Sequence, residues 1–237
     1  MTLLRSLLYT LWLYAGSTVL ALAYTPMLIL PRGAIRLGLK IWGWYARVGL
    51  ALICGIRIEV RGAEHMPTGP GLIAAKHQGM LDVCGPFTFL PDACFVLKKE
   101  LIRIPFFGWY CLKSRMIVVD REGHAAALKK LVTDTKDRMQ HDRQVVIFPE
   151  GTRTRPGAAA DYKPGVAALY RDLGLPCTPV ATNSGVHWPA KGIMRYPGVV
   201  VFEFLEPIPA GLKRGAFMTE LETRIETASA ALMAEGL

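Results

Sequence analysis

Between Arg5 and Arg32 no residue is charged, and the predominantly apolar stretch is broken at Pro26. A helix from Leu7 to Thr25 would be about 28 Å long, close to the bilayer hydrocarbon thickness of about 30 Å. The stretch is therefore predicted to be long enough to span. Ala21-Leu22-Ala23 resembles a signal-peptide cleavage site, but the only charge ahead of it is Arg5 and the apolar run continues through Met27 to Leu30, so the segment reads as retained. After Pro31, which suits a helix start, the cations Arg32, Arg36, Lys40 and Arg47 fall within a stripe roughly 80° wide, with Ile41, Trp42, Tyr45 and Leu52 on the far side. This pattern predicts a basic amphipathic helix lying in a membrane interface, its cations on headgroups and its aromatic face among acyl chains. The competing reading is a surface helix packed on its own domain. Four cations after the apolar run against one before it place the rest of the chain on the cytoplasmic side if the first helix spans.

From Ile56 the periodicity changes to short β-branched runs alternating with helical ones. Ile56 to Val60, Gly71 to Ala75, Cys94 to Leu97, Met116 to Asp120, Gln144 to Phe148, Cys177 to Thr182 and Val199 to Phe204 are predicted strands. Met80 to Leu90, Pro105 to Leu112, Gly123 to Gln140, Gly165 to Leu173 and Phe217 to Ala234 are predicted helices. The expected class is α/β, a layered domain on a mixed sheet over residues 56–237, preceded by a two-helix membrane-associating segment over residues 1–55. In such sheets ligands sit beyond the strand ends, where His77, Arg121 and Arg153 each follow a predicted strand.

Composition sharpens this picture. The 237 residues suffice for one such domain, and 51% of them are hydrophobic, with a mean hydropathy of +0.28 and a net charge of +9. Apolar and basic together point to a membrane surface or phosphate-bearing ligands. Nucleic acid is not expected as a partner, because no Lys/Arg run, zinc spacing or RNP-like motif is present. Cys54, Cys84, Cys94, Cys111 and Cys177 form no C-x-x-C pair and read as buried free thiols of a reducing compartment. No metal spacing is recognisable and no cofactor is expected.

Three stretches carry candidate chemistry. In Ala74 to Asp82, His77 is followed five positions later by Asp82. Neutral imidazole can take a proton from an alcohol near neutral pH, and a carboxylate on its other nitrogen holds the tautomer and stabilises the cation formed. Five residues of helix turn through about 140°, so the pair must straddle a loop and a helix start, with Gly79 allowing the bend. No G-x-S-x-G elbow occurs, so the activated hydroxyl would belong to a substrate. Lys98-Lys99-Glu100 to Arg121 places cations at both ends of an apolar, aromatic passage, where strand-end Lys98 or Lys99 with Arg121 could clamp a phosphate. Val145 to Arg155 is a buried strand entering a turn, with Pro149 and Gly151 at favoured type I positions. There Gly151, Thr152 and Arg153 form a natural phosphate site, and Glu150 orients the loop or the Arg.

Taken together these motifs closely resemble the 1-acyl-sn-glycerol-3-phosphate acyltransferases, the H-x-x-x-x-D glycerophospholipid acyltransferases, over about Ile56 to Val180. His77 and Asp82 match that family's catalytic pair, Lys98 to Arg121 with Ile104-Pro105-Phe106-Phe107-Gly108 its second motif, and Phe148 to Arg153 its third. Leu175 to Val180 matches the fourth in outline, with Cys177 and Thr178 where larger apolar residues are usual, and Thr154 stands where Ser is usual. The resemblance implies catalysis by His77 and Asp82 and substrate binding by Lys98, Lys99, Arg121, Glu150, Gly151, Thr152 and Arg153. It also implies an acyl-CoA or acyl carrier protein donor, a lysophospholipid acceptor, a membrane anchor and a location at the cytoplasmic membrane. Alternatives are another acceptor, such as a lyso-ornithine lipid, and a non-catalytic lipid-binding protein.

Overall fold

In the computed structural model, which describes residues 1–236 apart from the side chains of Arg121 and His124, two long helices precede a seven-stranded sheet. The helices are α1 (Thr2–Ala23) and α2 (Arg32–Gly49), the latter running on through a wider turn at Leu50–Cys54. All seven expected strands form: β1 (Ile56–Arg61), β2 (Gly71–Ala75), β3 (Ala93–Lys98), β4 (Ile117–Val119), β5 (Gln144–Ile147), β6 (Cys177–Thr182) and β7 (Gly198–Phe204). They lie in the order β1-β7-β6-β2-β5-β3-β4. Every pairing is parallel except β6 with β7, so the sheet is mixed. The consequence is geometric: β6, β2, β5, β3 and β4 run the same way and end along one edge. Residues 76–77, 98–99, 121, 149–153 and 183–184 all leave strands at that edge.

The remaining helices are the short α3 (Leu81–Cys84) and α4 (Pro86–Phe89), then α5 (Phe107–Lys113), α6 (His124–Met139), α7 (Gly165–Leu173), α8 (Ser184–His187) and α9 (Arg214–Ala234). One helix is expected over Met80 to Leu90; the structure has two. Pro86 has no N–H to give to Asp82 and so breaks the run. β2 and β5 are buried almost throughout, reading as Leu72-Ile73-Ala74 and Val145-Val146-Ile147, as parallel strands covered on both faces must be. α9 packs along β6, where Leu232 joins Ala181 and Val201, and its first turns bring Phe217 onto Tyr170 of α7 with ring centroids 3.8 Å apart. All five cysteines are buried free thiols.

The expected orientation of α2 is corrected. Arg32 Nη1 lies 2.8 Å and Arg36 Nη1 3.8 Å from the buried carboxylate of Asp92, and Arg47 donates to Ile58 O at 3.1 Å. These cations face the sheet-bearing body because Asp92 and Arg143 form a buried polar cluster beneath them. The aromatic side chains do not face outward as a group either. Trp42 Nε1 donates to Ser17 Oγ of α1 at 2.9 Å, and Tyr45 stacks on Trp12 at 4.8 Å. Of the face opposite the cations, Ile41 and Leu52 stay exposed, in an apolar stripe with Leu37, Trp44 and Val48.

Candidate active site

His77 leaves the end of β2 and Asp82 sits in the first turn of α3, the loop-and-helix arrangement that their spacing demands. His77 Nδ1 and Asp82 Oδ2 are 3.0 Å apart. The same Oδ2 accepts the N–H groups of Gln78 at 2.6 Å and Gly79 at 2.8 Å, while Oδ1 accepts the hydroxyl of Ser184. Such a saturated, buried carboxylate cannot swing, so the imidazole bound to it keeps one orientation. The other ring nitrogen, Nε2, is left for chemistry. Phe148 stacks on the imidazole with centroids 4.0 Å apart and planes at 14°, fixing the ring from its face. Gly79 is required for a reason other than the expected bend: a Cβ there would lie 2.6 Å from the Trp188 carbonyl oxygen.

The loop beyond β5 closes beside it. Gly151 N–H donates to Phe148 O at 2.9 Å, the bond of a tight turn, and Gly151 has φ +67°, a backbone state that favours glycine. Glu150 does not project from this turn. It is buried, with Oε2 accepting the N–H of His77 at 2.8 Å, Oε1 accepting Thr154 Oγ1 at 2.6 Å, and Lys76 Nζ at 2.7 Å. Thr154 N–H in turn donates to His77 O at 2.8 Å. Glu150 therefore grips the His77 loop by its backbone, which fits loop orientation rather than contact with a substrate. Lys76 also meets Glu226 of α9 at 2.7 Å, and Tyr162 OH donates to the same carboxylate at 2.9 Å. Burial depresses the Lys76 pKa, but the two carboxylates outweigh it and hold the ammonium above its ordinary value.

A cavity of about 1100 Å³ opens between α1, α2 and the ends of β3 and β5, with His77 on its wall. Its lining is mainly apolar and includes Leu13, Tyr24, Trp42, Phe95 and Phe148. Gly151, Thr152 and Arg153 border it, as does Lys98, and Arg153 is exposed to it rather than tied to a carboxylate. Lys99 points elsewhere, pairing with Asp120 at 2.7 Å. The backbone of Arg121 starts the turn after β4, and its side chain lies outside the described residues. Among the described residues no group of three or more His, Cys, Asp or Glu side chains is placed to hold a metal. Cys84, two residues beyond Asp82, is fully buried, and burial, then the Asp82 charge, push its thiol up to about 12, unsuited to a nucleophile.

A family model described as Acyltransferase matches residues 57–183, a span that contains the His77–Asp82 pair and the Glu150 turn. The chain belongs to the acyltransferase family. This acyltransferase is 34% identical over 234 residues to a 1-acyl-sn-glycerol-3-phosphate acyltransferase of Pseudomonas aeruginosa, covering 98% of the chain and 91% of that relative. A protein of the same name from Helicobacter pylori is 29% identical over 177 residues, covering 73% of each chain. The fold matches the crystal structure of a 1-acyl-sn-glycerophosphate (LPA) acyltransferase from Thermotoga maritima with a TM-score of 0.80, at 23% identity, over 99% of this chain and 98% of that one. The α/β architecture of the acyltransferase, mixed sheet and two leading helices included, is thus that of a solved structure. Sequence reasoning did not single out Lys76, Glu226 or Ser184. Only the unusual position of Lys76, a cation directly beside His77 at a buried strand end, offers a signal in the sequence.

Proposed function

We propose that this chain is a 1-acylglycerol-3-phosphate O-acyltransferase that moves a fatty acyl chain from an acyl thioester to the sn-2 hydroxyl of lysophosphatidic acid, giving phosphatidic acid. One observation carries the reading: an oriented imidazole on the wall of a large apolar cavity, with an exposed arginine on the same wall. His77 takes the hydroxyl proton at Nε2 while the freed oxygen attacks the thioester carbonyl carbon. The carbon–sulfur bond breaks, the ester forms, and the imidazolium returns its proton to the departing thiolate. Asp82 holds Nδ1 and balances the transient charge. Arg153, with Lys98 and Arg121 from neighbouring strand ends, binds the acceptor phosphate, and the Gly151–Thr152 turn borders the same site. Acyl chain fills the apolar cavity, so binding energy from parts remote from the reacting carbon positions the two substrates.

The two helices over residues 1–55 serve as the membrane-associating segment, and residues 56–237 as the catalytic domain on the cytoplasmic side. Both helices are long and apolar enough to cross a membrane by length and composition, and α1 and α2 each expose large apolar side chains. Either acyl-CoA or acyl carrier protein can bring the acyl group.

The test is purified protein with lysophosphatidic acid and a panel of acyl-CoA and acyl carrier protein donors, products identified by mass, with lyso-ornithine lipid and other lysophospholipids as competing acceptors. Phosphatidic acid is the expected product, and His77→Ala is expected to lower turnover on the order of 10³- to 10⁴-fold. Full turnover in His77→Ala, or transfer to another acceptor in preference, would reject the assignment.

A further inference from the structure

The acyl-transfer chemistry uses one oxygen of Asp82. Oδ2 serves His77 and the N–H groups of Gln78 and Gly79, whereas Oδ1 is committed to the hydroxyl of Ser184, 102 residues away. Ser184 is fully buried and opens α8 directly beyond β6, and its own N–H donates to Thr182 Oγ1 at 3.1 Å. Two further contacts fasten this segment to the catalytic loop. Gly185 N–H donates to Gln78 Oε1 at 2.9 Å, and the Trp188 carbonyl oxygen packs so close to Gly79 that an added Cβ would lie 2.6 Å from it. Trp188 N–H closes the unit by donating back to Ser184 O at 2.8 Å. The hydroxyl is therefore delivered by a braced segment rather than by a free rotor.

We infer that Ser184 is a positioning residue of this acyltransferase, one that locks the rotation of the Asp82 carboxylate and, by drawing charge to Oδ1, sets how strongly Asp82 holds the proton on His77. The inference rests on the His77–Asp82 reading given above and deepens it. A carboxylate has about four acceptor sites, and each donor it binds stabilises the anion and lowers its basicity. With Ser184 in place, Oδ1 is neutralised locally and the imidazole feels a weaker base. Without it, Oδ1 is buried and unpaired, the carboxylate draws the imidazolium proton more strongly, and the imidazole stays protonated to higher pH. A general base that is protonated is inactive, so the loss reaches turnover through the acidic side of the pH profile. The other charges around the ring are not altered by changing Ser184: Glu150 with Lys76 and Glu226 behind the strand end, and Arg153, Lys98 and Lys163 on the cavity wall.

The experiment compares wild type, Ser184→Ala, Ser184→Thr and Ser184→Cys by two readouts. The His77 titration midpoint is read from imidazole NMR, with His77→Ala identifying the resonance, and kcat and both KM values are read across pH. Ser184→Ala is expected to raise the midpoint by about half a unit to one unit, on the scale of a lost hydrogen bond to a charged form. It should lower kcat at neutral pH by about two- to tenfold while both KM values stay within about twofold, and the loss should disappear at alkaline pH, where the imidazole is neutral in both proteins. The hydroxyl of Ser184→Thr is expected to bring midpoint and kcat back towards wild type. Ser184→Cys, a weak donor of nearly the same shape, should fall between Ala and wild type, and it serves as the reading should the alanine variant fail to fold. A wild-type midpoint in a folded Ser184→Ala or Ser184→Cys protein would overturn the role. Turnover that survives in His77→Ala would instead defeat the acyl-transfer reading and leave the measured Ser184 effect on the imidazole standing, so the two failures are distinct.

Discussion

Lys76 Nζ lies 2.7 Å from Glu150 Oε1 with both side chains closed off from solvent, and the two residues flank the backbone of His77. A buried ion pair of this kind adds little net stability over apolar replacements, but breaking it strands a charge. Glu150→Ala leaves Lys76 with Glu226 alone and removes the acceptor of the His77 N–H. Because Glu226 still neutralises Lys76, the expected result is a loss of about 1–3 kcal/mol of folding free energy, on the scale of the His77 N–H left without its acceptor, together with lower kcat. Urea unfolding combined with steady-state kinetics checks it, and a variant as stable as wild type would contradict the placement of Glu150 under the loop.

Arg153 stands in the same motif yet is exposed to the cavity, so its removal should behave in the opposite way. Arg153→Ala is expected to leave unfolding unchanged and to raise the acceptor KM about 10- to 100-fold, from ~1.5–3 kcal/mol for hydrogen bonds to a charged group. The donor KM should move little. Equal effects on both substrates would argue against a phosphate role.

The contrast between Glu150 and Arg153 shows what a sequence does and does not make legible. Seven strands are readable from their short apolar runs, three of which, β2, β5 and β6, are buried almost throughout, and the His77–Asp82 pair because its spacing sits in a recognisable motif. Neighbours in one motif, however, point to opposite sides of a turn, and nothing in Glu150-Gly151-Thr152-Arg153 says which side is covered. The same limit applies to α2. Periodicity separates its faces but cannot say that Asp92, 60 residues from Arg32, waits beneath the cations. Ser184 and Glu226 reach the site from 102 and 150 residues away, and pairings at such range leave no local pattern.

The buried thiols make a prediction about alkaline pH. Burial pushes Cys84, Cys111 and Cys177 up to about 12, Cys84 with the Asp82 charge adding to it. In the unfolded chain these groups ionise near about 8.5. Because the folded values are raised, the stability tied to keeping the thiols protonated is complete below the unfolded value and is lost as pH rises towards about 12. Unfolding free energy should therefore fall above about pH 8.5, by up to ~1.4 kcal/mol per pH unit for each thiol, and Cys177→Ala should reduce that slope. Native protein should also resist iodoacetamide at pH 8, whereas the unfolded protein reacts readily. Rapid alkylation of the three thiols without unfolding would contradict their burial.

The orientation of α2 decides how membrane binding should respond to salt. Were its cations on lipid headgroups, each would contribute about 1 kcal/mol to binding anionic vesicles, and salt would screen most of it. In the structure Arg32 and Arg36 pair with Asp92 and Arg47 is held by Ile58 O, so of that stripe only Lys40 has no such partner among the described residues. The outward stripe is apolar instead, and each large side chain transferred from water contributes about 1.5–3 kcal/mol when fully buried. Binding to neutral vesicles should therefore be nearly as strong as to anionic ones, and raising salt from about 0.1 M to 0.5 M, over which the screening length shrinks about twofold, should weaken it less than threefold. Ile41→Glu with Leu52→Glu, both on the exposed stripe, should release the protein from vesicles in co-sedimentation while leaving its unfolding transition in place. Steep salt dependence, with no effect of the paired glutamates, would return the cations to the lipid surface and reverse the assignment of the two faces.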